Sequence, residues 1–229
     1  LAVRSGDFEF DEDNLPCKDL LVEYCQGLVQ IDLNSSIIRL VHFTLQEYLE
    51  RQSQSLFPNA HSEIAQVCLT YLSIDEFCSG PCLTDKDYEQ RTEDWPFLQY
   101  AAQYWGDHAR EDLTEDYKSL AVEFCSNSQN LDSATQAMSI GNHLYRGYSQ
   151  RYRKSYTGLH VATSFGLKAV VEALLDRGAD TEVKYENGET ALCMAAISGD
   201  AEVAKLLLDR GAEVEAEGNG GKRALHQSA

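Results

Sequence analysis

Apolar positions in the C-terminal third fall into two blocks with the same internal spacing. Leu159, Ala162, Val170, Val171, Leu174 and Leu175 form the first, and Leu192, Ala195, Val203, Leu206, Leu207 and Leu208 the second. Within each block, polar and small residues separate a short apolar stripe from a longer one. That pattern predicts two short helices per block, the first ended by Gly166 or Gly199 and the second by Gly178 or Gly211. Thr157 and Thr190 stand where a hydroxyl can cap the first helix. The match between the blocks keeps register at an offset of 33: Thr157 with Thr190 and Arg223, Gly166 with Gly199, Leu174-Leu175 with Leu207-Leu208, and 176–180 with 209–213. A helix pair of this kind cannot bury its face alone, so stacked neighbours must close the core.

Upstream the pattern changes. The acidic turn over 11–16 ends in Asn14-Leu15-Pro16, which predicts a helix from about residue 16 to Gly27. Apolar runs at 28–32 and 37–42 about the polar stretch 33–36 predict a hairpin, and Thr44 is placed to cap a helix over 45–51. Further helices are expected over 62–73, 113–126 and 131–140, with 141–153 as a run-in to the repeats. Between them Phe97, Tyr100, Tyr104 and Trp105 make one aromatic face, which is expected to be core.

A Thr-x-Leu-His opening at this period resembles the ankyrin repeat, a β-turn followed by two antiparallel helices. The resemblance implies two full copies and a third that breaks off at Ala229, where about three are normally needed for stability. Gly158, Ala191 and Ala224 stand where the family usually has Pro, so these helix starts are expected to fray. Cys193 and Arg223 replace the motif His and the capping Thr, which reads as structural drift. By the same resemblance, hairpin tips and the outer side of the first helices line a concave binding face. This places Lys184, Tyr185, Glu186, Met194 and Ile197 outward as protein-binding candidates. Tyr185 has two readings, a binding anchor or a ring lying over the neighbouring hairpin.

The segment from Gly27 to Leu49, with His42-Phe-Thr-Leu-Gln-Glu47-Tyr48-Leu49, resembles the winged-helix end of NACHT-type signalling NTPases of fungi that carry ankyrin repeats. The aromatic segment 95–110 resembles the spacer that follows it there. The implied fold is mainly α: a winged-helix domain with a small β-hairpin over 1–56, a helical spacer over 57–153, and an ankyrin-repeat solenoid over 154–229. It also implies an upstream NACHT domain, a protein ligand for the repeats and a cytoplasmic location. A His at the place of His42 can, in that family, reach the diphosphate of ADP and hold a switch closed. The other reading of His42 is a strand-end side chain packed in the fold.

Charge narrows the partners. The chain carries 37 acidic against 19 basic residues, a net of −18, with the excess concentrated upstream of the repeats. Such a surface repels phosphate backbones, so no nucleic-acid and no membrane partner is expected. That weighs against the rival reading of the winged helix as a DNA-binding regulator. Arg146, Arg151, Arg153 and Lys154 form the one basic cluster, expected to be a solvated linker. No apolar run approaches a membrane span, and a start at Leu1 without Met fits an internal fragment. Seven Cys scattered through apolar segments fit buried thiols rather than a disulfide framework, and the pair Cys78 and Cys82 has no second pair to complete a zinc site. An esterase would need a Gly-x-Ser-x-Gly elbow, which is absent. Residues 218–223 lack the Ser or Thr of a phosphate loop. The sequence thus asks for no cofactor, no metal and no catalysis within these residues; its work is binding.

Overall fold

The computed structural model describes residues 18–32, 37–110, 114–140 and 146–216. The expected acidic turn over 11–16, the turn over 33–36, the third repeat copy and the stretch 218–223 lie outside the described residues. The chain is mainly helical. It opens with α1 (Lys18–Tyr24), an antiparallel hairpin of β1 (Val29–Asp32) and β2 (Ile37–Leu40), and α2 (Phe43–Leu56). Val29 pairs with Leu40 and Asp32 with Ile37. This helix, hairpin, helix order follows the apolar spacing, yet α2 contains no buried residue. Leu20, Tyr24, Leu28, Ile37, Ile38, Val41, Phe43 and Tyr48 are all exposed.

Five helices follow: α3 (Ala60–Leu72), α4 (Asp85–Asp94), α5 (Leu98–His108), α6 (Glu115–Ser126) and α7 (Ser128–Ser139). Of these α4 has no apolar stripe to announce it; only Tyr88 is buried. It forms because Thr84 caps it, accepting from the Asp87 amide at 3.1 Å, with Asp85 and Asp87 in its first turn. Asp85 also receives the amides of Gly147 at 2.6 Å and Ser149 at 3.0 Å, which hold its carboxyl below the usual carboxylate range. Gln136, fully buried on α7, accepts from the Cys82 amide and donates to the carbonyls of Cys82 and Ser149, all within 2.9 Å. The loops at 80–85 and 147–150 are thereby fastened to α7, because a buried amide side chain is stable only with its hydrogen bonds made.

The two repeats follow as α8 (Gly158–Ser164) with α9 (Lys168–Asp176), and α10 (Ala191–Ser198) with α11 (Ala201–Asp209). Their hydrogen bonds repeat at the sequence period. Ala179 donates to the Leu174 carbonyl and Gly178 to that of Leu175; 33 residues on, Ala212 donates to Leu207 and Gly211 to Leu208. Both glycines are left-handed, with φ of +87° and +92°, the geometry that closes a helix by the Schellman pattern. Thr157 and His160 form a capping box in the first repeat. In the second, Thr190 Oγ1 accepts from the Cys193 amide at 3.5 Å and donates to the buried Cys193 Sγ at 3.6 Å, a sulfur contact in place of the His side chain of the first box. Arg210 reaches back to Glu172 and Asp176 at 3.2 and 2.8 Å, tying α11 to α9.

One hydrophobic core runs from Ala65 on α3 to Ala212. Helix α6 packs against both α8 and α9, so the spacer is the layer on which the first repeat stacks. Two glycines make the join close. A Cβ on Gly106 would meet the Phe165 ring at 2.1 Å, and one on Gly158 would meet the Cys125 carbonyl oxygen at 2.1 Å. Gly158 therefore stands where a Pro was expected because the α6 backbone leaves no room for a side chain.

Candidate functional site

The hairpin leading into α10 divides the expected face. Lys184 and Glu186 are exposed, and Ile197 on α10 is 51% exposed although residues 191–195 of the same helix are buried. Tyr185 and Met194 are not outward, contrary to the expectation. Tyr185 is 5% exposed, its ring edge-on to Tyr156 at 5.2 Å and to His160 at 5.5 Å. Its hydroxyl donates to the Glu189 carboxylate. Of the two readings the ring over the neighbouring hairpin is the observed one, because the aromatic column Tyr156, His160, Tyr185 needs an edge-on third member to close. Met194, 8% exposed, lies in the stack core. The split is local: Lys184 and Glu186 flank the buried Tyr185 and are themselves exposed.

His160 anchors this column from below. It is buried, and its Nδ1 accepts the Thr157 amide at 3.2 Å, so the ring is the neutral tautomer with the proton on Nε2. Burial pushes its pKa below the ordinary value of 6.5, partly opposed by the Glu189 and Val183 carbonyls nearby. The Tyr185 hydroxyl is pushed up to about 12 by burial and its Glu189 partner, so it remains a neutral donor.

Beside the hairpin lies the basic run. Arg151, Tyr152 and Arg153 line a depression of about 570 Å³ together with Glu186 and Asn187. The Arg153 guanidinium sits 5.2 Å above the Tyr156 ring and donates to its hydroxyl at 3.2 Å; the Lys154 ammonium is 5.7 Å from the Tyr152 ring. The Glu186 amide donates to the Lys154 carbonyl at 3.1 Å, joining the two segments. The charged residues of the run are exposed, as a solvated segment requires, and the run is also tied to the hairpin edge. Its signal in the sequence was the interleaving of Arg and Lys with Tyr152 and Tyr156, a spacing that lets cations rest on rings.

At the other end, His42 is neither packed nor at the end of a buried strand. It is exposed and caps α2: its Nδ1 accepts the Thr44 amide at 3.2 Å and lies 2.8 Å from the Thr44 hydroxyl. Accepting at Nδ1 leaves the proton on Nε2, a donor at a helix N-terminus. The aromatic face of α5 also differs from expectation. Trp105 is core, while Tyr100 and Tyr104 are 40% and 45% exposed, Tyr100 stacked on Phe97 and Tyr104 tilted against Tyr100. Cys78 and Cys82 point to separate surroundings, Cys78 donating to Asn130 at 3.1 Å and Cys82 buried with its thiol pushed up by desolvation. Among the described residues no three His, Cys, Asp or Glu side chains gather as metal ligands, and no helix is long and apolar enough to cross a membrane.

Comparison with known proteins agrees with the repeat geometry. A curated protein of Monascus ruber, the azaphilone pigments biosynthesis cluster protein L, is 32% identical over 103 residues, which covers 38% of this chain. The chain spans about a fifth of that protein's length, 21%. A family model described as ankyrin repeats, in 3 copies, matches residues 122–229, and so takes in the end of α6 and α7 upstream of the segment that carries the 33-residue period.

Proposed function

We propose that this chain is the non-catalytic, protein-binding and regulatory part of a larger NACHT-type signalling NTPase. Its repeats take a protein ligand on the hairpin edge and the outer side of α10. Ankyrin repeats are a protein-interaction type, and the observation that carries the reading is the composition of that edge. Lys184 and Glu186 are exposed on the hairpin, Glu186 lining one depression with Arg151 and Arg153, and Ile197 is an exposed aliphatic side chain on α10 of the same repeat. A central apolar contact with a polar rim is how protein interfaces are built. Comparative capture tests it: the chain and its triple variant Lys184→Glu, Glu186→Lys, Ile197→Asp are used as baits in extract of the source organism. Proteins retained by the first and lost from the second, with equal melting temperatures, are expected. Identical captures would remove the face from the account.

The second part of the proposal concerns the N-terminal segment as a winged helix in an ADP-held switch. Supporting it are the exposed apolar residues of α1, the hairpin and α2, which fit a surface made to be covered, and the Nε2 donor of His42 at a helix N-terminus, which suits a phosphate oxygen. The DNA-binding alternative draws no support from charge, since residues 1–56 carry ten acidic against four basic side chains.

A further inference from the structure

Two histidines far apart in sequence meet at the surface of the spacer. His61 is the second residue of α3 and His108 the last of α5. The two helices run antiparallel, since Tyr71 near the end of α3 meets Phe97 just before α5 at 5.3 Å while His61 meets His108. The two Nδ1 atoms are 2.9 Å apart, and the ring centroids 5.1 Å. His61 is exposed and His108 half-buried, so water reaches the pair. The far nitrogen of His108, Nε2, lies 2.9 Å from the Tyr100 hydroxyl two turns back on the same helix.

We propose that His61 and His108 form a two-imidazole site for a divalent transition ion that takes its ligands at right angles, such as Ni(II) or Cu(II). The spacing favours that geometry. With metal–nitrogen bonds of about 2.0–2.1 Å, cis ligands at a right angle stand roughly 2.8–3.0 Å apart and tetrahedral ligands roughly 3.3–3.4 Å apart. In the ion-free chain the 2.9 Å is a hydrogen-bond distance, and it lies nearer the first, so the pair reaches right-angle coordination without being spread apart. Tyr100 supplies the outer contact that such sites need: by accepting from Nε2–H of His108 it fixes the tautomer whose Nδ1 lone pair faces His61. His61 then donates its Nδ1 proton to His108 in the free protein. On binding, that proton moves to the exposed Nε2 of His61 through solvent, so the ring stays neutral and no proton is released. Both rings turn slightly so that their lone pairs converge on the ion. No third His, Cys, Asp or Glu joins them among the described residues, so water completes the shell and the site is open. Because the ligands close the α3–α5 pair at the end where α2 enters, an ion there would pin the junction between the N-terminal segment and the helical core.

The test is calorimetric titration of the tag-free chain with Ni(II) chloride in a non-chelating buffer at neutral pH. One ion per chain is expected, with a dissociation constant in the micromolar range and little proton release when buffers of different ionisation enthalpy are compared. His61→Ala and His108→Ala should each weaken binding by roughly tenfold or more, Tyr100→Phe by about tenfold, the usual loss on removing such an outer contact. Cys78→Ser, the exposed thiol, should bind like the parent. His61 is at the surface, so His61→Ala keeps the readout independent of folding. Equal Ni(II) binding by the parent and His61→Ala, dependence on Cys78, or no binding at all would overturn the proposal.

Discussion

Gly158→Ala separates local helix preference from packing, because the two predict opposite signs. In a helix, Gly to Ala is worth about 1 kcal/mol of stability when nothing else changes, and the first turn of α8 is helical. In the structure the added methyl would lie 2.1 Å from the Cys125 carbonyl oxygen and 2.7 Å from its Cβ. The carbonyl is backbone at the end of α6, and α6 is held by α8 and α9 together, so neither helix can yield alone. Relief requires a shift of on the order of 1 Å between packed helices, and overpacking of that kind costs about 1–3 kcal/mol. Because the obstacle is backbone rather than the end of a flexible side chain, the upper part of that range, about 2–3 kcal/mol, applies, and the net after the helix-propensity gain is a loss of about 1–2 kcal/mol. Urea unfolding of the whole chain is the assay. With a slope of about 2 kcal/mol/M the midpoint should fall by roughly 0.5–1 M at unchanged slope. A midpoint equal to or above the parent's would refute the close seating of the first repeat on α6. Gly106→Ala is the companion, and there the obstacle is the Phe165 ring, wedged beside Trp105 at 5.1 Å.

Other outcomes follow from the same geometry. Tyr185→Ala removes a buried ring and should cost about 3–5 kcal/mol, whereas Tyr185→Phe, which loses the bond to Glu189 and the long one from Asn187, should cost about 1 kcal/mol by thermal or urea unfolding. His160 has its pKa depressed in the folded chain, so the unfolded chain binds its proton first; stability should hold above pH 6.5 and fall as pH drops below it, and His160→Gln should flatten that fall in melting temperatures between pH 7.5 and 5.5. His42→Ala should lower the stability of α2 by about 0.5–2 kcal/mol through the lost cap, seen as faster amide exchange over 43–50 with the core unchanged, and in a nucleotide-binding full-length protein should weaken retention of ADP.

The repeats could be read from the sequence because their cause is local. Glycine at 166, 178, 199 and 211 is required by left-handed backbone, and the apolar stripes of α8 to α11 have no other way to be buried. The helices over 62–73, 113–126 and 131–140 emerged within a few residues for the same reason. The inward side of Tyr185 is decided by Tyr156 and His160, which are distant in sequence, and that of Met194 by the stack core it is buried in, so neither could be read from local spacing. The helix α4 was missed for want of apolar spacing, although Thr84 followed by Asp87 is a capping signal that could have marked its start. Nothing in sequence spacing brings His61 to His108, since they are 47 positions apart and meet only through the antiparallel pairing of α3 with α5.

The claim that the hairpin edge binds a protein can be met directly once a ligand is captured, by amide hydrogen exchange of the chain with and without it. Slowed exchange is predicted over residues 183–190 and the exposed side of α10 about Ile197, with the run 151–154 next, while α9 and α11 keep their free-state rates. Protection confined to α9 and α11, or to the segment from α1 to α2, would contradict the account.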